Sequence, residues 1–380
     1  MRPSPRKDCA ACTSSWPISK GKLPQEWQKV NSALTDVQGI LVGHWSDPVN
    51  GTGCTVVLTP EGSCGGVDVR GSAPGTRETA LLDPVNRVNR VHGLLLSGGS
   101  AYGLGAAHGV VSWLAERGYG WFTPAAPVPI VPAAILYDLG FGGSTVFPTQ
   151  EDAAAACEAA TEEDKSRGSV GAGVGCTVGK LFGFDRCTRG GLGQASAALP
   201  GGVVVSALVA VNAVGDVVDP MRARLVAGAR DPDSGELVDS LSVAAASFDS
   251  YFFRRSGPDS DQTPPSPDRS DSEHGGAVHE NTTIGVVATN LCLSKTDVTK
   301  LAQMGQTGIS RTTRPAHTLY DGDCLFALAT GSLEAQVELS LLGAVAAEVV
   351  AAAVLDGVLN ATAAHGVPAA SELTPRRLSE

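Results

Sequence analysis

Large aromatic side chains are scarce in this sequence. Phe, Trp and Tyr together make up 5% of its 380 residues, whereas glycine alone occurs 46 times. Apolar residues still account for 43% of the chain, enough to bury a sizeable core. Such a core must be built from alanine, valine and leucine, with glycines that let backbones approach closely. The length suits two domains or one large α/β domain.

Basic runs and secretory or membrane-spanning segments are lacking as well. The formal net charge is −11 and no lysine or arginine cluster stands out, so we expect no nucleic-acid partner. Residues 1–22 contain no apolar segment of the kind that a secretory signal requires, and we expect a cytoplasmic protein. The most apolar stretch, 341–359, carries Glu348 and Asp356, which predicts a buried helix and no membrane contact.

The cysteines and glycine clusters do not indicate a cofactor. Nine cysteines, an odd number scattered over the chain, favour reduced thiols, and the pair Cys9 and Cys12 lacks a second pair at zinc-finger spacing. The glycine clusters 98–105 and 171–180 both miss positions of the nucleotide-binding glycine patterns. We therefore expect no metal and no nucleotide, and we assign these glycines to tight turns and close packing.

Composition and periodicity divide the chain into segments. Residues 1–35 resemble a tail, and 254–280, rich in serine, proline and aspartate, predict a flexible linker. The valine-rich run 202–211 predicts a buried strand, whereas 151–167 and 334–364 have helical spacing. Because strands and helices do not alternate regularly, we expect layered α/β sheets rather than a parallel barrel.

The step from the linker into a strand, at Asn281-Thr282, is the most informative position. A hydroxyl directly after a scissile carbonyl is what an intramolecular N-to-O acyl shift needs, and the freed α-amine then serves as a built-in base. The plainer alternative, an ordinary strand start after a loop, also fits these residues. Thr283 leaves the position of a cut ambiguous by one residue.

Five further polar residues are candidates for the same site. Lys180 lies in a glycine-rich apolar segment and is either a buried cation or a surface lysine. Tyr137 and Asn212 each end an apolar run, and either they donate to an oxyanion or they are turn residues. Asp321 and Asp323 flank a glycine before a strand, where they orient an ammonium and a hydroxyl, bind calcium or cap a turn.

A conventional serine hydrolase is weakly supported. The seven histidines are dispersed along the chain and indicate no triad. Around Ser100, Tyr102 stands where the second glycine of a nucleophile elbow is needed.

Four groups of residues follow one another along the chain: LLSGGSAYGL at 95–104, GVG at 173–175 with Gly179-Lys180, NTTIGV at 281–286, and RPAHT at 314–318 with Asp321-Gly322-Asp323. In this order they resemble the motifs of the DmpA-like aminopeptidase family, which includes β-peptidyl aminopeptidases and nylon-oligomer (6-aminohexanoate oligomer) endo-hydrolases. The likeness covers roughly residues 35–365. Threonine after asparagine at the junction is similar to the nylon-oligomer hydrolase branch.

This resemblance implies a fold and a processing event. The family fold is an αββα four-layer sandwich, similar to N-terminal nucleophile hydrolases with different connectivity. Its members are precursors that cut themselves, here between Asn281 and Thr282, which gives an α chain of 1–281 and a β chain of 282–380. The αβ units are expected to form tetramers.

The resemblance also implies roles for the candidate residues. Thr282 matches the nucleophile, and Lys180 and Asn212 match residues beside it. Tyr137 matches a residue that assists the oxyanion, and the pair Asp321/Asp323 matches acidic residues that orient the nucleophile, although aminopeptidase members vary there.

The implied reaction is hydrolysis of peptide-like or 6-aminohexanoate oligoamide substrates by acyl transfer to water. An alternative is an aminopeptidase or amidase that releases N-terminal β-, D- or L-amino acids from short peptides. A non-enzymatic assembly protein fits poorly with so many matched polar residues.

Overall fold

The computed structural model describes residues 33–246 and 281–378. The linker 254–280, the Cys9/Cys12 pair and most of the predicted tail lie outside the described residues. The last residues of that tail are packed: Leu34 is fully buried, and its backbone N–H donates to the side chain of Gln194.

The described residues contain fifteen strands and six α-helices. The strands are β1 (Leu41–Asp47), β2 (Thr52–Val69), β3 (Thr76–Arg77), β4 (Val91–Ser97), β5 (Ala133–Ile135), β6 (Thr177–Val178), β7 (Thr188–Arg189), β8 (Gly191–Leu199), β9 (Val203–Asn212), β10 (Asp216–Asp219), β11 (Arg224–Ala227), β12 (Thr282–Leu291), β13 (Thr313–Arg314), β14 (Cys324–Leu333) and β15 (Arg376–Arg377). The helices are α1 (Ser100–Gly103), α2 (Ala107–Glu116), α3 (Gln150–Glu158), α4 (Ser240–Ala246), α5 (Lys295–Thr312) and α6 (Leu339–Leu359).

The long strand β2 joins two halves of one nine-stranded sheet. The strand order is β3-β5-β4-β2-β14-β12-β9-β8, with β1 also paired to β2. The first part of β2 pairs with β4, from Cys54 to Leu58, and its last part pairs with β14, from Cys64 to Val69. The register shifts between Leu58 and Ser63, where the strand passes from one partner to the other.

The two halves of the sheet stack face to face. Side chains of β4, such as Leu94 and Leu96, share one buried cluster with Leu208 of β9 and Ile284 and Val286 of β12. Helices α2 and α3 cover the outer face of the first half, and α5 and α6 cover that of the second. This arrangement is the predicted αββα four-layer sandwich.

Burial on both faces explains the continuous apolar run of β9. Val205, Val209 and Val211 pack toward the helices, and Leu208 and Ala210 pack toward the other half of the sheet. A strand covered on both sides has no polar face, so its sequence does not alternate. The predicted buried strand at 202–211 is confirmed.

Two predicted helices are shorter than their sequence patterns suggested. The helix expected at 151–167 ends at Glu158, because Thr161 pairs with Val42 of β1 and the Asp164 side chain contacts His44. The helix expected at 334–364 spans Leu339–Leu359 instead, since the Glu338 carboxylate caps its first turn. Charged, alanine-rich sequence is compatible with either helix or loop, so tertiary contacts decide the ends.

Helix α6 is long and apolar enough to span a bilayer, yet 67% of its most apolar window is buried inside the protein. It packs on β8, β9 and α5. Close approach to α5 requires a glycine, because a Cβ on Gly308 would lie 2.3 Å from the Ala347 carbonyl oxygen. The prediction of a buried core helix is confirmed.

Candidate active site

Strand polarity gathers the predicted site residues at one edge of the sheet. Strands β12 and β14 are parallel and begin at this edge, whereas β9 is antiparallel to β12 and ends there. Thr282, the first residue of β12, therefore faces Asn212, the last residue of β9, in the strand register. Asp321 precedes β14 and bridges to Asn281.

The carbonyl of Asn281 lies between two donors. The Thr282 hydroxyl, Oγ1, is 2.5 Å from the Asn281 carbonyl oxygen, and the Gly322 N–H donates to the same oxygen at 2.7 Å. The Asn281 N–H donates to the Tyr320 carbonyl at 2.9 Å. Thr282 is only 3% exposed. The peptide bond between Asn281 and Thr282 thus lies beside a hydroxyl and is polarised by a backbone amide.

A side chain at position 322 would not fit this arrangement. A Cβ on Gly322 would lie 2.4 Å from the Ala73 carbonyl oxygen and 2.8 Å from Thr282 Oγ1. Both distances are shorter than a carbon atom tolerates. Glycine therefore lets the backbone N–H approach the Asn281 carbonyl while the Thr282 hydroxyl stays beside it.

The two aspartates hold the backbone around the junction. Asp323 accepts the Thr283 N–H at 2.7 Å, through Oδ1. Asp321 accepts the Val214 N–H at 3.2 Å and the N–H and hydroxyl of Thr318 at 2.9 and 2.6 Å. Burial, and then the charge of Asp323, raise the pKa of Asp321. These contacts hold the residues around Thr282, and the Thr282 hydroxyl itself contacts the Asn281 carbonyl.

Lys180 is buried, so the surface-lysine alternative is wrong. It is 4% exposed, and its ammonium donates to the Asn212 side-chain oxygen at 2.8 Å and to the Asn212 carbonyl at 3.1 Å. The Asn212 amide in turn donates to the backbone carbonyl of Tyr137 at 2.9 Å. Burial lowers the pKa of Lys180 to about 8. Lys180, Asn212 and the Tyr137 carbonyl thus form a polar path, and Thr282 faces Asn212 in the strand register.

A cavity of about 300 Å³ opens beside this path. Its lining includes Tyr137, Lys180, Phe184 and Asp138, a residue that the sequence did not single out. Burial raises the pKa of Asp138 to about 6, although hydrogen bonds from the Gly99 N–H and the Thr52 hydroxyl oppose the rise.

The glycine cluster at 98–105 packs on Asp138. A Cβ on Gly98 would lie 2.1 Å from an Asp138 carboxylate oxygen, and the Gly99 N–H donates to that carboxylate at 2.7 Å. These glycines serve close packing, as the sequence predicted. Asp138 directly follows Tyr137 at the end of an apolar run. That position is the one sequence feature that could have indicated Asp138 as a site residue.

One histidine is closer to the site than the sequence suggested. The Nδ1 atom of His317 is 2.8 Å from Asp323, and its Nε2 atom is 2.9 Å from the Ser310 hydroxyl. The histidines are dispersed along the sequence, and their spacing did not indicate this contact. Within residues 33–246 and 281–378, no group of three or more His, Cys, Asp or Glu side chains is placed to hold a metal ion.

The lowered pKa of Lys180 predicts a pH-dependent stability. Between about 8, its pKa in the fold, and 10.5, its ordinary value, the unfolded chain keeps a proton that the folded chain has lost. The unfolded state then binds more protons, so the free energy of unfolding rises with pH in this window. Between pH 8 and pH 10 we expect the free energy of unfolding of wild type to rise by roughly 2 kcal/mol relative to that of Lys180→Met. Urea unfolding at several pH values checks this, and a constant difference between the two proteins would contradict it.

Sequence comparisons agree with this architecture. The family model described as Peptidase family S58 matches residues 32–371. An uncharacterized aminopeptidase of Mycobacterium tuberculosis is 42% identical over 365 residues, which cover 90% of this chain and 98% of the relative. A 6-aminohexanoate-oligomer endohydrolase of Agromyces sp. is 30% identical over 332 residues, which cover 84% of each protein.

The fold is also similar to solved structures. An L-aminopeptidase D-Ala-esterase/amidase from Ochrobactrum anthropi, described as a variant of the Ntn hydrolase fold, matches with a TM-score of 0.60 and 20% identity, over 87% of this chain and 86% of the other. A β-aminopeptidase of Burkholderia sp. matches over the same shares with a TM-score of 0.59 and 20% identity. By its fold and its sequence, the chain belongs to peptidase family S58 and is a hydrolase of amide bonds.

Proposed function

We propose that this hydrolase first cuts its own chain before Thr282 and then uses Thr282 as its nucleophile. The observation that carries the proposal is the Asn281 carbonyl, which has the Thr282 hydroxyl on one side and the Gly322 N–H on the other. A hydroxyl next to a carbonyl whose oxygen is already held by a donor has the parts that an acyl shift requires.

In the first reaction, Thr282 Oγ1 attacks the Asn281 carbonyl carbon. The negative charge that develops on the carbonyl oxygen is stabilised by the Gly322 N–H. The C–N bond then breaks, the nitrogen takes the hydroxyl proton, and an ester joins Asn281 to Thr282. Water hydrolyses this ester, which leaves a carboxylate on Asn281 and a free α-amine on Thr282.

In the second reaction, the same hydroxyl attacks a substrate amide. The free α-amine of Thr282 takes the hydroxyl proton and passes it to the leaving amine, and water releases the acyl group. Tyr137 and Asn212 stabilise the oxyanion, and the Lys180 ammonium, which contacts Asn212, adds positive charge. Asp321 and Asp323 keep the start of β12 in place.

Cleavage before Thr282 is supported over cleavage before Thr283. The Thr283 hydroxyl is buried and has no hydrogen-bond partner in the part of the chain that the structure describes, and its N–H is bonded to Asp323. Cleavage before Thr283 would require its hydroxyl to attack the Thr282 carbonyl, whereas the hydroxyl that lies next to a preceding carbonyl is that of Thr282.

Two substrate classes follow from the relatives. The endohydrolases at 30% identity are named for 6-aminohexanoate oligomers, so we propose short oligoamides as substrates. The mycobacterial relatives at 42% identity are named aminopeptidases, which favours as the second candidate the release of N-terminal β-, D- or L-amino acids from short peptides.

A direct comparison of kcat/KM separates the two classes. The processed enzyme is assayed on a 6-aminohexanoate trimer and on β-alanyl, D-alanyl and L-alanyl p-nitroanilides, with amine release as the readout. Higher kcat/KM on the trimer supports the oligoamide hydrolase, and higher kcat/KM on a p-nitroanilide supports the aminopeptidase. Absence of turnover on every substrate by processed enzyme would contradict both.

A further inference from the structure

The loop between β13 and β14 carries His317, whose ring connects helix α5 to the aspartate beside the nucleophile. Its Nε2 atom lies 2.9 Å from the hydroxyl of Ser310 on α5, and its Nδ1 atom lies 2.8 Å from Asp323 Oδ2. The His317 side chain is 16% exposed and that of Asp323 is 2% exposed. The bond to Asp323 is therefore shielded from water, whereas the Ser310 end reaches the surface.

The direction of these hydrogen bonds follows from Asp323. An ionised carboxylate only accepts, so the hydrogen of the ring must be on Nδ1. The backbone N–H of His317 donates to the same oxygen, Oδ2, at 3.1 Å. The other oxygen, Oδ1, accepts the Thr283 N–H at 2.7 Å. One carboxylate thus joins His317 to the residue next to Thr282.

The Ser310 hydroxyl is the hydrogen-bond partner of Nε2, the other nitrogen of the His317 ring. Its hydroxyl is also 3.3 Å from the Gln306 carbonyl, to which it only donates. The hydroxyl either donates to a neutral Nε2 or, while donating to Gln306, accepts from a protonated Nε2. The ring is held at both ends in either state.

The backbone of His317 is in an unusual conformation that keeps both donors on Asp323. Its φ is +55°, in the left-handed region that asparagine and glycine adopt most easily. A residue other than glycine remains there only when its surroundings hold it. Here the N–H and the ring converge on one carboxylate oxygen.

From these contacts we propose that His317 is a positioning residue of the hydrolase. By donating from Nδ1 it fixes the Asp323 carboxylate, and Asp323 fixes the first residues of β12 and thereby the Thr282 hydroxyl. Ser310 fixes the ring. The inference rests on the proposed role of Thr282, and it assigns His317 no contact with the substrate.

Two substitutions, both to residues that tolerate a positive φ, test whether the Nδ1–H donor of His317 is needed. His317→Gly removes the ring, whereas His317→Asn keeps an amide N–H near the place of Nδ1. We expect His317→Gly to lower kcat by about 10- to 100-fold, the effect of losing one hydrogen bond to a buried charged group, with KM nearly unchanged. His317→Asn keeps kcat within about threefold of wild type because its amide still donates. Free imidazole restores part of the kcat of His317→Gly.

Only processed chains are counted as enzyme in this assay. The maximal rate is divided by the concentration of the fragment that begins at Thr282 to give kcat. Equal kcat in His317→Gly and wild type would overturn the proposal, as would an equal loss in His317→Asn and His317→Gly at equal melting temperature. If His317→Gly does not fold, His317→Asp, which also suits a positive φ and has no side-chain N–H to donate, replaces it in the comparison.

Ser310→Ala tests whether Ser310 only holds the His317 ring or is itself a second nucleophile. We expect it to lower kcat by less than about tenfold, since the ring keeps its bond to Asp323. Complete loss of activity in Ser310→Ala would overturn the proposal. Thr282→Val is run beside these variants: if it remains active, the proposed function fails, whatever His317 does. If it is inactive while His317→Gly equals wild type, only the present inference fails.

Discussion

Thr282→Val is expected to remain one uncut chain and to hydrolyse no amide at a measurable rate. Valine keeps the shape of threonine and removes the hydroxyl that lies 2.5 Å from the Asn281 carbonyl oxygen. Without that hydroxyl neither the acyl shift nor the attack on substrate occurs, so kcat falls by on the order of 10⁴-fold or more. Denaturing gels measure the processing, and product release measures the activity.

Thr283→Val is the matched control for this substitution. The Thr283 hydroxyl is buried and has no hydrogen-bond partner within residues 33–246 and 281–378, so replacing it with a methyl group is nearly neutral. We expect this variant to be cut and active like wild type. A cut, active Thr282→Val together with an uncut Thr283→Val would move the nucleophile by one residue and contradict our assignment.

Gly322→Ala is expected to stop processing almost completely. The added methyl group would meet the Ala73 carbonyl oxygen at 2.4 Å and Thr282 Oγ1 at 2.8 Å, so the loop must shift. That shift withdraws the N–H that donates to the Asn281 carbonyl at 2.7 Å. Loss of one such oxyanion donor slows acyl transfer by about 10²- to 10³-fold. The fraction of cut chain is followed over time by gel.

Gly105→Ala supplies the control for Gly322→Ala. A Cβ at Gly105 meets no atom within 4 Å, so this glycine tolerates a methyl group. We expect wild-type processing in this variant. Crowding at Gly322 also lowers the free energy of unfolding, by about 1 to 3 kcal/mol, so folding of the variant is checked by circular dichroism. A folded Gly322→Ala that is cut at the wild-type rate would remove Gly322 from the mechanism.

The layers of the fold and the members of the site were predictable from the sequence for identifiable reasons. The apolar runs that end before Asn212 and begin after Thr282 indicated two strands, although not that the strands are neighbours. The other site residues, Lys180 and the Asp321/Asp323 pair, were assigned to the site because their motifs resemble those of the DmpA-like family. The roles of these residues, the cut and the tetramer stay predictions until the experiments above are done.

The parts that could not be predicted depend on backbone groups and on packing between distant segments. The donor to the Asn281 carbonyl is the backbone N–H of Gly322, and a backbone donor leaves no chemical signal in the residue type. To predict the contact between Ser310 and His317, one must know how α5 packs against the loop that contains His317. The end of α3 at Glu158 is decided by the pairing of Thr161 with Val42.

The proposed function depends on one event, in which the chain cuts itself before Thr282 and exposes Thr282 as the nucleophile. N-terminal sequencing of the small fragment, with intact masses of both fragments, tests this most directly. We expect a fragment that begins Thr-Thr-Ile-Gly and a partner that ends at Asn281. A fragment that begins Thr-Ile-Gly, or a purified chain that stays whole while it hydrolyses amides, would contradict it.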